Sequence, residues 1–492
     1  MRVLAIDQGT TNTKALLIGA DGSVLARASA PSRSSYPQPG WAEQSAEAIW
    51  DSTRQVIDAV AADAGGEGID ALAISNQRET VIAWDSETGK PVGPAILWQC
   101  TRTADACARL SAAGHDKRVE AATGLAINPM FPAPKLAWII DNRPQARALL
   151  DAGRLRMGTV DSWLLWNLSG GASFATDHSN ASRTQLFDTA TLGWSAELGA
   201  LFGAPISCLP APLPSDSRFG ETVAHVTSLP AGIPIHAMMG DSHAALYGHG
   251  VRTPGVVKAT YGTGSSLMTL TPGRCAASHG VSGTIAWTDR NGTAHALEGN
   301  IFVSAQAADF IASLLGIADG RALSDLARTV ESSGGVCFVP ALSGLGAPHW
   351  DERATGTISG MTHATTQAHV ARATFEAIAM QIADVFEAME TVIGEPLETL
   401  SADGGATANS FLMQLQADLL GRTVQRSDVE EVGALGAAAM AFAALGIDTD
   451  WSRSGTRFDP AMEASARQSL RTGWHDAVSR TRSTRPTPSQ NS

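Results

Sequence analysis

Asp7-Gln8-Gly9-Thr10-Thr11-Asn12-Thr13-Lys14 is a dense run of small, hydroxyl-bearing and charged residues near the start of the chain. Backbone N–H groups and hydroxyls gathered in such a turn suit phosphate oxygens, and Lys14 adds a positive charge. Asp7, at a strand end, suits a Mg²⁺ ion held through water. The same string also suits an ordinary polar β-turn. Gly262-Thr263-Gly264 is a second turn of this kind. Asp403-Gly404-Gly405 is a third, leading into a helix that starts at Asn409, where free N–H groups and the helix dipole favour an anion. Glycine turns are common, so each is weak alone. Three of them, one opening each half and one late, fit a nucleotide gripped between two halves. No G-x-x-x-x-G-K-[ST] string occurs, nor a G-x-G-x-x-G after the first strand, which disfavours P-loop and NAD chemistry.

Other residues suit a hydroxyl-bearing acceptor. Met239-Gly240-Asp241-Ser242-His243 places a carboxylate just after an apolar run. Such an Asp can take a hydroxyl proton during phosphoryl transfer, help hold a metal, or cap a helix from Ala244 onward. Asn76-Gln77-Arg78-Glu79-Thr80 follows an apolar strand. Arg78 and Glu79 can donate to and accept from adjacent hydroxyls, although neighbouring opposite charges are also ordinary surface chemistry. Trp98 offers either a ring face to a carbon chain or a piece of core.

The elements that must position these residues follow from the hydrophobic pattern. Val3 to Asp7, Thr13 to Ile18 and a segment near Ser23 to Ala30 read as a β-meander carrying the first turn. An amphipathic helix over Ala46 to Ala62 and a strand over Ala71 to Ser75 continue in the alternation of a sheet covered by helices. Gly255 to Tyr261, the Gly-Thr-Gly turn, and Ser265 to Leu270 echo the opening. Helices are predicted over Phe302 to Leu315, Ala368 to Ile393 and Asn409 to Leu420, with a strand over Leu400 to Asp403. Two halves, each with a Gly/Thr hairpin, predict a cleft between domains, where ligands commonly bind. From about Ser479 the chain lacks apolar periodicity, and residues 479–492 are expected to be disordered.

The 492 residues allow two large domains, and 44% hydrophobic with 17% charged residues is a globular balance. Lys and Arg number 35 against 48 Asp and Glu, a net charge of −13 that disfavours nucleic acid and anionic membranes as partners. Five scattered cysteines without C-x-x-C fit neither a disulfide framework nor a zinc site, which suggests a reducing, cytoplasmic setting. The apolar stretch Gly433 to Ile447 is too short for a membrane span and reads as a buried helix.

The chain resembles the FGGY carbohydrate kinase family. The resemblance rests on Asp7-Gln-Gly-Thr-Thr11, Asn76-Gln-Arg-Glu-Thr80, Trp98-Gln-Cys100, Gly158-Thr-Val-Asp-Ser-Trp163, Asn180-Ala-Ser-Arg-Thr184, Thr260-Tyr-Gly-Thr-Gly264, Leu297-Glu-Gly299 and Asp403-Gly-Gly-Ala406. Two longer signatures carry it further: Met130 through Asn142, and Gly356 to Met361 continuing through Ala373 to Glu376. It implies an α/β protein with two actin-like (ribonuclease H-like) domains facing each other across a catalytic cleft. Residues 1–250 would form the polyol-binding domain and residues 251–478 the nucleotide-binding one, with ATP and Mg²⁺ as cofactors and a dimer or tetramer as the assembly. Carried over by position, Asp241 becomes the general base, and Arg78, Glu79 and Trp98 hold the polyol. Thr10, Thr11, Asn12, Lys14, Thr263, Gly405 and Asn409 match nucleotide or phosphate positions, with Asp7 and Asp241 beside the metal.

Departures from the family pattern bear on the substrate. Met130 and Ser266 stand where glycerol-phosphorylating members usually have Tyr and Phe, and Ser242 replaces a Gln after the base. Losing two aromatic walls predicts a larger, more polar pocket and an acceptor longer than glycerol, such as a C4–C5 sugar alcohol. Ala305 and Asp309 replace a Gly and a Gln on the nucleotide side, and Thr227 to Ile233 lacks the basic loop needed to hold fructose 1,6-bisphosphate. Two other readings stand beside a polyol kinase: a ketose kinase of the xylulokinase or ribulokinase kind, and a non-catalytic nucleotide switch like actin or Hsp70.

Overall fold

The computed structural model describes residues 1–64, 68–429, 431–449, 451 and 455–483. Two mixed sheets built to one plan dominate it. The first contains β1 (Arg2–Gln8), β2 (Asn12–Gly19), β3 (Val24–Pro31), β4 (Ala71–Asn76), β5 (Arg218–Glu221) and β6 (Pro234–Gly240), in the order β5-β6-β4-β1-β2-β3. The second contains β7 (Val256–Tyr261), β8 (Ser265–Thr271), β9 (Ser282–Asp289), β10 (Gly292–Ile301), β11 (Thr399–Asp403), β12 (Thr423–Ser427) and β13 (Gly455–Phe458), in the order β9-β10-β8-β7-β11-β12-β13. In each, an antiparallel meander is extended by parallel strands: β1 runs parallel to β4 and β4 to β6, as β7 does to β11 and β11 to β12. The weak echo in the sequence is therefore a repeated architecture.

The central parallel strands β1 and β4 are buried on both faces, which is why they read as continuous apolar runs. β4 has no exposed residue, whereas the edge strand β3 alternates. Helices cover the sheets: α1 (Ala46–Asp63), α2 (Pro132–Asn142), α3 (Asp241–Gly248), α4 (Gln306–Leu315), α5 (Gln367–Ile393), α6 (Ser410–Leu420), α7 (Val432–Ala444) and α8 (Ala464–Thr481) are those that matter below. Among the described residues no helix is long and apolar enough to cross a membrane.

Two elements differ from expectation, and a third, the buried helix expected over Gly433 to Ile447, is present. The helix predicted from Phe302 starts only at Gln306, because Ser304 and Ala305 donate their N–H groups to the carbonyls of Thr263 and Gly262 and hold the chain in the second turn. Residues 479–483, expected to be disordered, are ordered: α8 continues through Thr481, anchored by buried Trp474, Ala477 and Val478, and Ser483 binds Asp351. Residues 484–492 of that expected tail lie outside the described residues. Helix α7, late in the chain, packs on β1, β4 and β6 of the first sheet, sharing a core with Val3, Ala5, Ala71, Ala73 and Met239. It crosses α3 so closely that a Cβ on Gly436 would overlap the Ala244 carbonyl, and one on Gly248 the Val432 carbonyl.

Candidate functional site

A cavity of about 350 Å³ opens between the two sheets, at the carboxyl ends of their parallel strands. That is where open α/β sheets place ligands, since diverging strand ends leave a crevice there. β1 delivers Asp7, the residues after β4 deliver Arg78 and Glu79, and β6 ends at Gly240 just before Asp241. Adjacent registers, Asp7 beside Ser75 and Gly240 beside Asn76, bring these groups together from positions far apart in sequence.

Charge pairing dominates one wall. Arg78 Nε donates to Asp241 Oδ1 at 3.0 Å, and its Nη1 lies 2.5 Å from Glu298 Oε1. Arg183 Nε donates to Glu79 Oε1 at 2.7 Å, and its Nη2 lies 2.6 Å from Glu298 Oε2. Four of the five members are almost completely buried, and only the Asp241 side chain, 40% exposed, reaches open space. Two guanidinium groups thus balance two buried carboxylates, while the fifth charge faces the cavity. Burial alone would raise the Glu298 carboxyl, but Arg183 and Arg78 hold it below its ordinary range. The Arg78 guanidinium is driven upward: burial opposes its charge, and Glu298 and Glu79 more than offset that. An adjacent charged pair that could have been surface decoration is thus part of a buried network. Glu79 also adopts the left-handed backbone, with φ of 60°. Such a conformation costs roughly 1–2 kcal/mol for a non-glycine residue and persists only where its surroundings enforce it.

Trp98 and Met130 complete this wall. Trp98 is neither pure core nor free: its indole Nε1 donates to Thr10 Oγ1 at 3.0 Å while the residue lines the cavity. Met130 packs with Leu125 and Phe131. Ser242 and Ser266 lie 3.1 Å apart, and Ser266 donates to Glu298 at 3.3 Å, so the space left by the expected aromatic ring is lined by paired hydroxyls.

Backbone forms much of the rest of the cavity. In the β1–β2 turn Gly9 N–H donates to Asn12 C=O, and Gln44 holds the Thr10 carbonyl at 2.6 Å. Gly264 lies under the Ile301 carbonyl, and Gly404, with φ of 95°, lies against the Tyr261 backbone, so neither position has room for a Cβ. Lys14 sits 3.9 Å from Glu431 at the rim. Burial pushes the Asp7 carboxyl up to about 6, eased by the Ser75 hydroxyl and aggravated by Asp241. Two carboxylates repelling each other across a cavity form a donor set suited to an oxygen-bound divalent cation.

The cavity brings together Asp7, Thr10, Lys14, Arg78, Glu79, Trp98, Met130, Asp241, Ser242 and Ser266 among the residues picked from sequence. Thr11, Asn12, Thr263, Ala305, Asp309, Gly405 and Asn409 do not line it. Asn409 instead caps α6, accepting from Phe411 and Leu412 N–H, and its amide donates to Ser324. Asp241 is the first residue of α3 and not a cap for a helix starting at Ala244. Sequence reading missed Arg183, Glu298 and Lys258. Their signal was present: each is a lone charge inside a stretch that must be buried, and a buried charge demands a partner. Lys258, in β7, lines the cavity, with burial lowering its ammonium and Asp403 and Asp241 raising it.

Comparison with known proteins finds relatives over nearly the whole chain. The model of the FGGY family of carbohydrate kinases, N-terminal domain, matches residues 2–248, and that of the C-terminal domain matches residues 257–445. The chain is 45% identical to a glycerol kinase of Symbiobacterium thermophilum over 98% of both chains. It is 47% identical to an apulose kinase of Pectobacterium atrosepticum over 90% of each. Among solved structures, Plasmodium falciparum glycerol kinase with ADP superposes with a TM-score of 0.92 at 32% identity, covering 98% of both chains.

Proposed function

The chain belongs to the FGGY family of carbohydrate kinases, and we propose that it transfers the terminal phosphoryl group of ATP directly to a hydroxyl of a small polyol. The observation that carries this reading is the placement of Asp241. Its Oδ1 accepts both from Arg78 and from the N–H of Ser242, at 2.6 Å, which fixes the carboxylate while its exposed side meets the cavity. A carboxylate oriented in this way accepts the proton of an attacking hydroxyl as the new P–O bond forms. Arg78 and Glu79 bind and orient neighbouring hydroxyls, and Trp98 lies along the carbon chain. The turns around Gly9, Gly264 and Gly404, with Lys14, face the nucleotide phosphates. Asp7 and Asp241 would hold Mg²⁺, which when bound neutralises charge on the transferring group. Closing the two halves excludes water from that group.

The acceptor is longer than glycerol in this reading, a C4–C5 alditol, because Met130 and Ser266 leave space where rings would close the site, and the hydroxyls of Ser242 and Ser266 line it. A ketose acceptor is the second reading, favoured by the 47% identity to an apulose kinase. ADP release with MgATP and a panel of glycerol, erythritol, threitol, the pentitols, xylulose, ribulose and apulose separates them. The highest kcat/KM is expected for a C4–C5 alditol. A highest value for glycerol would refute the longer acceptor, and one for a ketose would move the assignment to the second reading. No stimulation by any acceptor would refute the kinase.

A further inference from the structure

Behind the acceptor wall lies a lysine that, among the described residues, touches no carboxylate oxygen. Lys135, in the first turns of α2, is fully buried and does not line the cavity. Its ammonium donates to three backbone carbonyls: Met130 at 2.6 Å, Glu79 at 3.2 Å and Trp98 at 3.3 Å. An ammonium has three N–H donors, so the set is filled. The three carbonyls belong to three separate segments of chain, and all three residues line the cavity. Burying a lysine costs several kcal/mol, which an apolar residue of similar size would avoid. That residue would, however, leave three carbonyls without donors and the three segments without a common anchor. One of them, at Glu79, already holds a backbone that only its surroundings enforce.

We propose that Lys135 is a positioning residue of the acceptor site: a tripod that fixes Glu79, Trp98 and Met130 relative to one another without touching the acceptor. This rests on the reading that these three residues bind the acceptor. The ionisable groups acting on it are the Glu79 carboxylate, Cys100, Arg102 and Cys107. Burial drives the ammonium down to about 7, with the Glu79 carboxylate opposing. Below that value three donors serve three carbonyls, and above it the amine has two N–H donors for three acceptors.

Steady-state kinetics of the full-length enzyme test the proposal. In Lys135→Met the KM of the best acceptor is expected to rise about tenfold or more, a misplacement effect, while the KM of ATP changes less than about twofold. Equal rises in both, or neither, would overturn it. Should Lys135→Met fail to fold, the wild-type enzyme decides. Its acceptor KM is expected to rise from about pH 6 to about pH 8.5 while the KM of ATP does not follow, and a flat acceptor profile overturns the proposal. Trp98→Ala and Glu79→Gln separate this from the underlying reading. If neither raises the acceptor KM, the wall is not the acceptor site. If both do and Lys135→Met does not, only the tripod fails.

Discussion

Around the proposed acceptor site, Arg78, Arg183 and Glu79 are interlocked with Glu298 of the second sheet through side-chain charges, whereas the phosphate-facing wall of the same proposal relies on turns such as Gly262–Gly264 and on Gly404, where backbone approaches backbone. In the proposed reading the contrast matches what each wall would recognise. A polyol offers hydroxyls in fixed relative positions, which discrete donors and acceptors can read. Phosphate oxygens are satisfied by clustered N–H groups, whatever side chains the turn carries. One wall should therefore be sensitive to a lost charge and tolerant of added bulk at its edge. The other should tolerate side-chain exchange and fail when a methyl group is added.

The largest effect is expected from Asp241→Asn. Removing the base should lower kcat by about 10²–10⁴ in an ADP-release assay, with acceptor KM changed only a few-fold. A loss under about tenfold would end the claim that the exposed carboxylate of the network is the base. Next comes Glu298→Gln, which leaves Arg78 and Arg183 sharing one carboxylate fewer in a buried place. Breaking such a pair costs about 3–5 kcal/mol, to be read from urea unfolding. Its pH dependence has a definite sign. Burial favours the neutral acid, yet Arg183 and Arg78 hold the Glu298 carboxyl below its ordinary 4.5. The stabilisation is therefore complete above that pH and lost as the pH falls toward the lowered value. In Glu298→Gln this part of the acid sensitivity should disappear.

Gly264→Ala probes the other wall. The new methyl would press on the Ile301 carbonyl and sit 3.0 Å from that of Phe302. Overpacking of this kind costs about 1–3 kcal/mol, and we expect it as an ATP KM raised roughly tenfold with acceptor KM unchanged. A change in acceptor KM alone would break the division between the walls. Smaller still, Ser266→Ala removes the hydroxyl shared with Ser242 and Glu298, and should shift the preference between the best acceptor and glycerol by a factor of about three. The smallest effect is none. Fructose 1,6-bisphosphate should leave activity unchanged, since Thr227 to Ile233 carries no cation and its Ser228 N–H is bound to Asp58.

The same division explains what could be read in advance. Strand ends that deliver chemistry, Asp7 and Asp241, follow directly from apolar runs that stop at a carboxylate, and the β1–β2 turn from its glycine and threonines. The cap at Asn409 was legible too, because capping is local. Arg183 and Glu79 are 104 positions apart, and no periodicity connects them. Lys135 was visible only as one letter in an apolar helix, since its partners are carbonyls, which every residue has. The start of α4 was misplaced for the same reason: Ser304 and Ala305 look like helix continuation until the distant Gly262–Thr263 turn claims their N–H groups. Polar composition after Ser479 suggested disorder, and only the docking of Trp474 and Arg471 against Asp384 on α5 explains why the helix persists.

Helix α7 has a consequence for the order in which the protein is made. Val3, Ala5, Ala71, Ala73 and Met239 are synthesised early, but the helix that covers them spans residues 432–444. At roughly 5–20 residues per second, the ribosome needs about 10–40 s to travel from residue 250 to that helix. Through that interval the first sheet waits with an apolar face uncovered. A chain released before residue 432 therefore has an adhesive surface where the finished protein has its innermost packing.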